Sequence, residues 1–295
     1  MNTPSPAIDA QRIEYSYDTD KVLNGIDLSI QPGTIIGLLG KNGCGKTTLI
    51  NCLLGFLKIQ SGASSILGDD SWDLSGDVRQ RLAFVPQSND LFDWMTTHQL
   101  VNYVSKFYAN WNANLVNELL LEWKVPMTGV VREFSVGEAQ KLAIVLAMGH
   151  EPELLIMDEP VAALDPSAKR KFIRQLIELN SEKGNTVLFS THITADVERV
   201  AADVAIIRDG KTYFQGPIDE LKEKVVKLHV TGTKDLNPLG RLFGVAALAV
   251  TGQEAVLTME NYSDSIRIQI EEQFDATVTP QTLGLEDIFV ELADG

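Results

Sequence analysis

Apolar and polar residues alternate over positions 22–30, and the next three, Gln31-Pro32-Gly33, are a turn signal ahead of a continuous apolar run at 34–39. Two strands joined by a tight connection are predicted. The run ends in a glycine-rich loop, after which positions 47–54 take a helical period, so the local unit is strand, loop, helix. Positions 82–85 read as another short strand, closed by Pro86. From about 96 to 149 the pattern is mostly helical, punctuated by Asn, Pro and Gly at 110–114 and 126–129, which predicts an inserted helical lobe. Beyond it, positions 154–157, 186–190 and 204–208 are apolar runs of the buried-strand type, separated by helical stretches such as 167–178. Strands alternating with helices in this way imply a largely parallel α/β sheet.

After Gly216 the character changes. Positions 225–230, 245–250, 255–259 and 266–270 read as strands, and 285–292 as a short amphipathic segment. The expectation is a small α+β appendage, with one domain over residues 1–218, its helical lobe at about 96–150, and an accessory domain over 219–295. The glycine-rich loop is not repeated in the appendage, so one nucleotide unit is expected in this chain.

Composition narrows the function classes. A chain of 295 residues can bury a large core, and 44% hydrophobic with 22% charged residues is ordinary for a globular protein. A formal net charge of −15 argues against nucleic-acid binding, which works through clustered Lys and Arg, and no nucleic-acid partner is expected. The two cysteines, Cys44 and Cys52, fit neither a disulfide framework nor a zinc site. The first residues carry no basic-then-apolar signal pattern, and the longest apolar stretches fall well short of the roughly 18–20 residues a membrane span needs. A cytoplasmic chain that does not itself cross a bilayer is expected.

The chemistry is carried by two segments. Gly40-Lys41-Asn42-Gly43-Cys44-Gly45-Lys46-Thr47 fits the phosphate-loop pattern, placed after a strand and opening a helix. Glycines let backbone N–H groups close around phosphate oxygens, the helix N-terminus adds positive potential, Lys46 reaches the outer phosphates, and Thr47 can ligate Mg²⁺. Thr48 belongs with this nucleotide set. Leu154-Leu155-Ile156-Met157-Asp158-Glu159 is an apolar strand ending in two acids. Asp158 would hold Mg²⁺ through water at the strand's carboxyl end, and Glu159 would face the attacking water. Cys44 stands in the loop as a small tolerated side chain rather than a reactive thiol, although a helix N-terminus lowers thiol pKa.

With these two segments in place, roughly residues 8–216 resemble the ABC ATPase family. Phe134-Ser135-Val136-Gly137-Glu138 is similar to the family signature Leu-Ser-Gly-Gly-Gln; Ser135 and Gly137 match, while Phe134, Val136 and Glu138 depart. The resemblance implies a P-loop NTPase cassette: a mostly parallel α/β core, an antiparallel N-terminal β subdomain and a helical lobe. It further implies that Ser135, Gly137, Glu138 and Asp165, the last in the D-loop-like Ala163-Leu164-Asp165, contact nucleotide held by the opposite subunit. Gln87 resembles the Q-loop residue near Mg²⁺, His192 the switch histidine at the γ-phosphate, and Tyr17 the aromatic that stacks on adenine. His98, His150 and His229 match nothing and read as structural. Asp93-Trp94-Met95-Thr96, Phe107-Tyr108, Trp111 and the ending at 285–292 look like the ATPase subunits of the family's ABC-2-type exporter branch. The implied protein is a bacterial ATPase using ATP and Mg²⁺. It would work as a homodimer or heterodimer of cassettes on the inner face of the membrane, bound to an integral membrane permease on a separate chain. Two other readings of the same motifs stay open: a soluble ABC ATPase that remodels a macromolecular assembly, and a regulatory cassette with weak hydrolysis.

Overall fold

The computed structural model describes residues 5–88 and 91–294. The chain begins β1 (Ile8–Tyr17), β2 (Asp20–Ile30), β3 (Ile35–Leu39), α1 (Lys46–Leu53), β4 (Ser61–Ile66), β5 (Asp69–Asp70), α2 (Gly76–Arg81) and β6 (Leu82–Val85). It continues with α3 (Thr97–Val104), α4 (Ala113–Glu122), α5 (Val136–Met148), β7 (Leu154–Met157), α6 (Pro166–Lys183), β8 (Thr186–Thr191), α7 (Thr194–Val200), β9 (Asp203–Arg208) and β10 (Lys211–Pro217). It ends with α8 (Ile218–Lys224), β11 (Val226–Gly232), β12 (Val245–Thr251), β13 (Glu254–Met259), α9 (Asp264–Phe274), β14 (Ala276–Thr282) and α10 (Leu285–Asp294). Among the described residues no helix is long and apolar enough to cross a membrane.

Two compact units result. One takes in the residues up to His192 together with Arg199–Gln215; the other takes in Ile193–Glu198 and the residues from Gly216 onward. The units part between Gln215 and Gly216, where the sequence reading places the division after residue 218.

In the first unit a six-stranded sheet runs β10-β9-β3-β8-β7-β6, with β3 parallel to β8 and β9, and β7 parallel to β8 and β6. Every residue of β3, β7 and β8 is buried, which is why these strands read as unbroken apolar runs rather than alternating ones. Because β6, β3, β7 and β8 are parallel, their carboxyl ends share one edge. Gln87, the glycine-rich loop, Asp158-Glu159 and His192 follow those four ends and emerge together there, as ligand-binding loops do in open α/β sheets. A second sheet, β2-β1-β4-β5, is antiparallel. Its Ile8, Ile13 and Ile26 share a core with Leu49 and Leu53 of α1 and with Ile36 and Leu38 of β3, so the helix behind the loop is clamped between the sheets.

Two caps fix the remaining approach to the site. Ser135 caps α5, which buries Leu142, Ile144, Val145 and Met148. Asp165 caps α6, accepting from the backbone N–H groups of Ser167 and Ala168 at 2.9 Å, with Pro166 in the first turn and Gly184 closing the far end at φ 68°.

The second unit is an antiparallel sheet, β12-β13-β11-β14, packed through Val226, Leu228, Val230, Leu257 and Met259 against Ile270 and Phe274 of α9. Here one sequence expectation is corrected: positions 266–270 are helix, not strand. Ile266, Ile268 and Ile270 alternate, but the side chains that meet the core are four apart. Ile266 packs against it, Ile270 and Phe274 are buried, and Ile268 is 47% exposed. Burying a large apolar side chain is worth about 1.5–3 kcal/mol, more than the roughly 1 kcal/mol span of intrinsic strand preference, so the helical register wins. Asp275 in the left-handed conformation ends the helix, and the neighbouring strand is β14, which carries Pro280. β14 pairs on one side, with β11, and an edge is where a proline is tolerated.

Candidate functional site

The loop between β3 and α1 needs its glycines for stated reasons. Gly45 caps α1 at φ 104°, a backbone conformation that L side chains rarely adopt, and a Cβ there would force Leu23 Cδ2, 2.8 Å away, to shift. Lys46, only 6% exposed, turns its ammonium back into the loop and donates to the carbonyls of Gly40 at 2.8 Å and Lys41 at 3.2 Å. The cation is thus already held in the concavity that a phosphate would enter. Burial pushes the Cys44 thiol above its ordinary pKa, outweighing the pull of Lys46. That agrees with an unreactive side chain.

Across from the loop, Asp158 and Glu159 are both buried, and buried carboxylates need partners. Thr47 Oγ1 donates to Asp158 Oδ2 at 2.6 Å, and the Ser190 hydroxyl donates to Asp158 Oδ1. Ser190 Oγ in turn accepts from the backbone N–H of Glu159 at 2.9 Å. That residue sits at φ 48°, a left-handed conformation that costs an L-residue roughly 1–2 kcal/mol and that clusters at functional sites. His192 Nδ1 lies 3.1 and 3.0 Å from the two carboxylate oxygens of Glu159. An ionised carboxylate only accepts, so Nδ1 carries the hydrogen.

Lys46, Thr47, Glu159 and His192 face one cavity of about 400 Å³. Asn42, Gly43, Gly45, Lys46, Thr47 and Thr48 line it, together with Gln87, Glu159 and His192. Val22 and Ala162 line it as well. Gly40, Cys44 and Asp158 do not line it. Tyr17 does not line it either: it is 47% exposed at the end of β1, with its ring edge-on to Tyr15 at 5.0 Å.

A second cluster lies apart from the cavity. Ser135 Oγ accepts from the Glu138 backbone N–H at 3.3 Å, and Glu138 Oε2 accepts from both the backbone N–H and the hydroxyl of Ser135, at 2.9 and 2.8 Å. These bonds pull the Glu138 carboxyl below its usual range. A Cβ on Gly137 would stand 2.8 Å from the Ala163 carbonyl oxygen, and Lys141 reaches Asp165 at 3.1 Å. Glycine 137 and the Lys141–Asp165 pair therefore hold the start of α5 against the turn before α6. Val136 stands 74% exposed. None of Ser135, Gly137, Glu138 and Asp165 lines the cavity.

The model of the ABC transporter family matches residues 23–162, which contain the loop, Gln87, the Ser135–Glu138 turn and the paired acids. The bacitracin transport ATP-binding protein BcrA of Bacillus licheniformis is 31% identical over 210 residues, covering 70% of this chain and 69% of the relative. The chain belongs to the ABC transporter family. A second ABC relative, the Nod factor export ATP-binding protein I of Burkholderia pseudomallei, is 29% identical over 295 residues, spanning 97% of this chain and 96% of its own. Among solved structures, an ATP-binding subunit of an ABC transporter superposes with a TM-score of 0.68 at 28% identity, covering 73% of this chain and 92% of that one. Both the α/β core and the antiparallel β subdomain expected from the ABC resemblance are present.

Residues that sequence reasoning missed in this ABC cassette are Ser190, Val22, Ala162 and Lys141. Ser190 sits in the Ser190-Thr191-His192 segment, yet its role arises only when β7 and β8 lie side by side and its hydroxyl bridges the acids. Lys141 meets Asp165 across 24 positions of sequence, a contact no local pattern signals.

Proposed function

We propose that this chain binds and hydrolyses ATP as the motor subunit of an ABC exporter whose membrane-spanning permease is a separate polypeptide. The observation that carries this reading is the convergence of Lys46, Thr47, Gln87, Glu159 and His192 on one cavity at the carboxyl edge of the parallel sheet. Lys46 would exchange its loop carbonyls for the outer phosphates, while backbone N–H groups of the loop and of the first turn of α1 take the remaining oxygens. Glu159 would accept a proton from the water that attacks the γ-phosphorus, as the bond to the leaving ADP oxygen breaks. His192 holds that carboxylate in place through Nδ1.

The residues fit Mg²⁺. The Thr47 hydroxyl and the Asp158 carboxylate already meet, and both are hard oxygen donors. Mg²⁺ takes few protein ligands and draws several from phosphate and water. Thr47 and Gln87 would hold the ion, with Asp158 acting through water. Bound there, it would neutralise charge on the phosphates.

Ser135, Gly137, Glu138 and Asp165 do not line the cavity of their own chain, and a head-to-tail pair of cassettes gives them a role. ATP on one copy would meet the Ser135 turn of the other, and a closed two-fold dimer satisfies both sites at once. Tyr17, exposed beside the antiparallel sheet, is free to take adenine. ATP favours the closed pair, hydrolysis releases it, and the difference drives the permease. Export rather than import is favoured by the name of one relative, assigned to Nod factor export. This reading places the chain in the cytoplasm, peripheral on the inner face of the membrane.

The test is partner-dependent localisation. Expressed alone, the chain is expected in the soluble fraction; co-expressed with the permease encoded beside it, the chain is expected to move to the membrane fraction and pellet with it. Continued solubility beside every neighbouring membrane protein would shift the reading to a soluble remodelling ATPase.

A further inference from the structure

We propose that Glu138 is a built-in restraint on closure of the ATP sandwich: its carboxylate occupies the Ser135 hydroxyl that an incoming phosphate would engage, and must be displaced before two cassettes close. The inference rests on the head-to-tail reading above. A hydroxyl has one hydrogen to donate, and that of Ser135 goes to Glu138 Oε2 at 2.8 Å. The same oxygen takes the Ser135 backbone N–H at 2.9 Å, and the Glu138 N–H is spent on Ser135 Oγ. A helix N-terminus attracts anions, and α5 already carries one of its own. A phosphate reaching this turn therefore finds a committed donor and a like charge. Lys141, one turn further along α5, does not cancel that charge outright, because its ammonium is shared with Asp165 at 3.1 Å.

Chemistry separates the charge from the cap. Glutamine serves at the third position of a capping box as glutamate does, so Glu138→Gln keeps the helix start and removes only the negative charge. Glu138→Asp keeps the charge on a shorter side chain. Both are to be made in a Glu159→Gln background, which is expected to hold ATP uncleaved, with MgATP binding and ATP-dependent dimerisation measured on the full chain.

Glu138→Gln is expected to lower the MgATP concentration for half-maximal dimerisation roughly twofold to fivefold, the range of an exposed charge beside a helix terminus. Glu138→Asp should stay with the parent, and the gap should narrow in high salt as the Debye length shortens. An unchanged ATP requirement in Glu138→Gln overturns the proposal, and so does an equal gain in Glu138→Asp. If the parent binds ATP but stays monomeric, Glu138→Gln is expected to release the dimer, and a persistent monomer overturns the proposal. A parent that binds no MgATP removes the site reading and this one together, whereas a parent that dimerises normally leaves the charge comparison to decide this one alone.

Discussion

Lys46→Ala is expected to abolish MgATP binding while leaving the chain folded. The ammonium is buried at the mouth of the loop with both visible bonds going to loop carbonyls, Gly40 at 2.8 Å and Lys41 at 3.2 Å. Carbonyl oxygens carry only partial charge, so the fully charged oxygens of a phosphate would be the stronger partners of this cation. Removing it takes away one or two charge-assisted bonds worth roughly 1.5–3 kcal/mol each, and affinity should fall by about 10²-fold or more. The alanine takes the Lys46 donor from the Gly40 carbonyl, while the Lys41 carbonyl keeps the Cys44 N–H at 3.2 Å; water can reach an open cavity and the burial of a cation is relieved, so thermal unfolding without nucleotide should change little. Titration with a fluorescent ATP analogue, alongside that unfolding control, separates the outcomes. Undiminished binding or hydrolysis in a folded variant would sink the site assignment.

How much of this was legible in the sequence depends on how local each determinant is. The phosphate loop reads directly, because its chemistry needs glycines and a lysine within eight consecutive residues and one strand-to-helix transition. Strands β6 and β7 also carry the bounds read from their sequence, since both are short apolar runs closed by Pro86 and by Asp158-Glu159. β4 did not read as a strand: Ser-Gly-Ala-Ser-Ser-Ile has no apolar alternation and becomes a strand by pairing with β1. The isoleucines of α9 misread because a period of two and a period of four coincide at Ile266 and Ile270; only the exposed Ile268 tells them apart. In the site, Glu159 reads as an acid after a strand, but its left-handed backbone, its amide bond to Ser190 and its contact with His192 depend on β7 lying beside β8. Similarly, Glu138 is visible as a departure from the family signature, while the bond that commits the Ser135 hydroxyl is visible only in three dimensions.

Glu159→Gln is expected to separate binding from chemistry. The groups that would hold ATP, Lys46, Thr47 and the loop amides, make no bond to the Glu159 side chain, whose contacts run to His192. The amide keeps the shape and one acceptor for His192 Nδ1, and the Ser190 bond is to the backbone N–H, which the substitution leaves in place. What is lost is the base and a buried negative charge beside the γ-phosphate position. Hydrolysis should fall by about 10²-fold or more, within the usual range for loss of a general base, while MgATP still binds. Because uncleaved ATP would bridge two cassettes, the variant should accumulate as an ATP-dependent dimer where the wild type pairs only transiently. Size-exclusion chromatography with and without MgATP, run beside a phosphate-release assay, reads both effects. Normal hydrolysis would remove Glu159 as the base. An inactive variant that binds ATP and stays monomeric would keep that role and turn attention to the other face of the sandwich. There, the exposed Val136 and the Glu138 carboxylate on Ser135 are the two departures able to hold the cassettes apart.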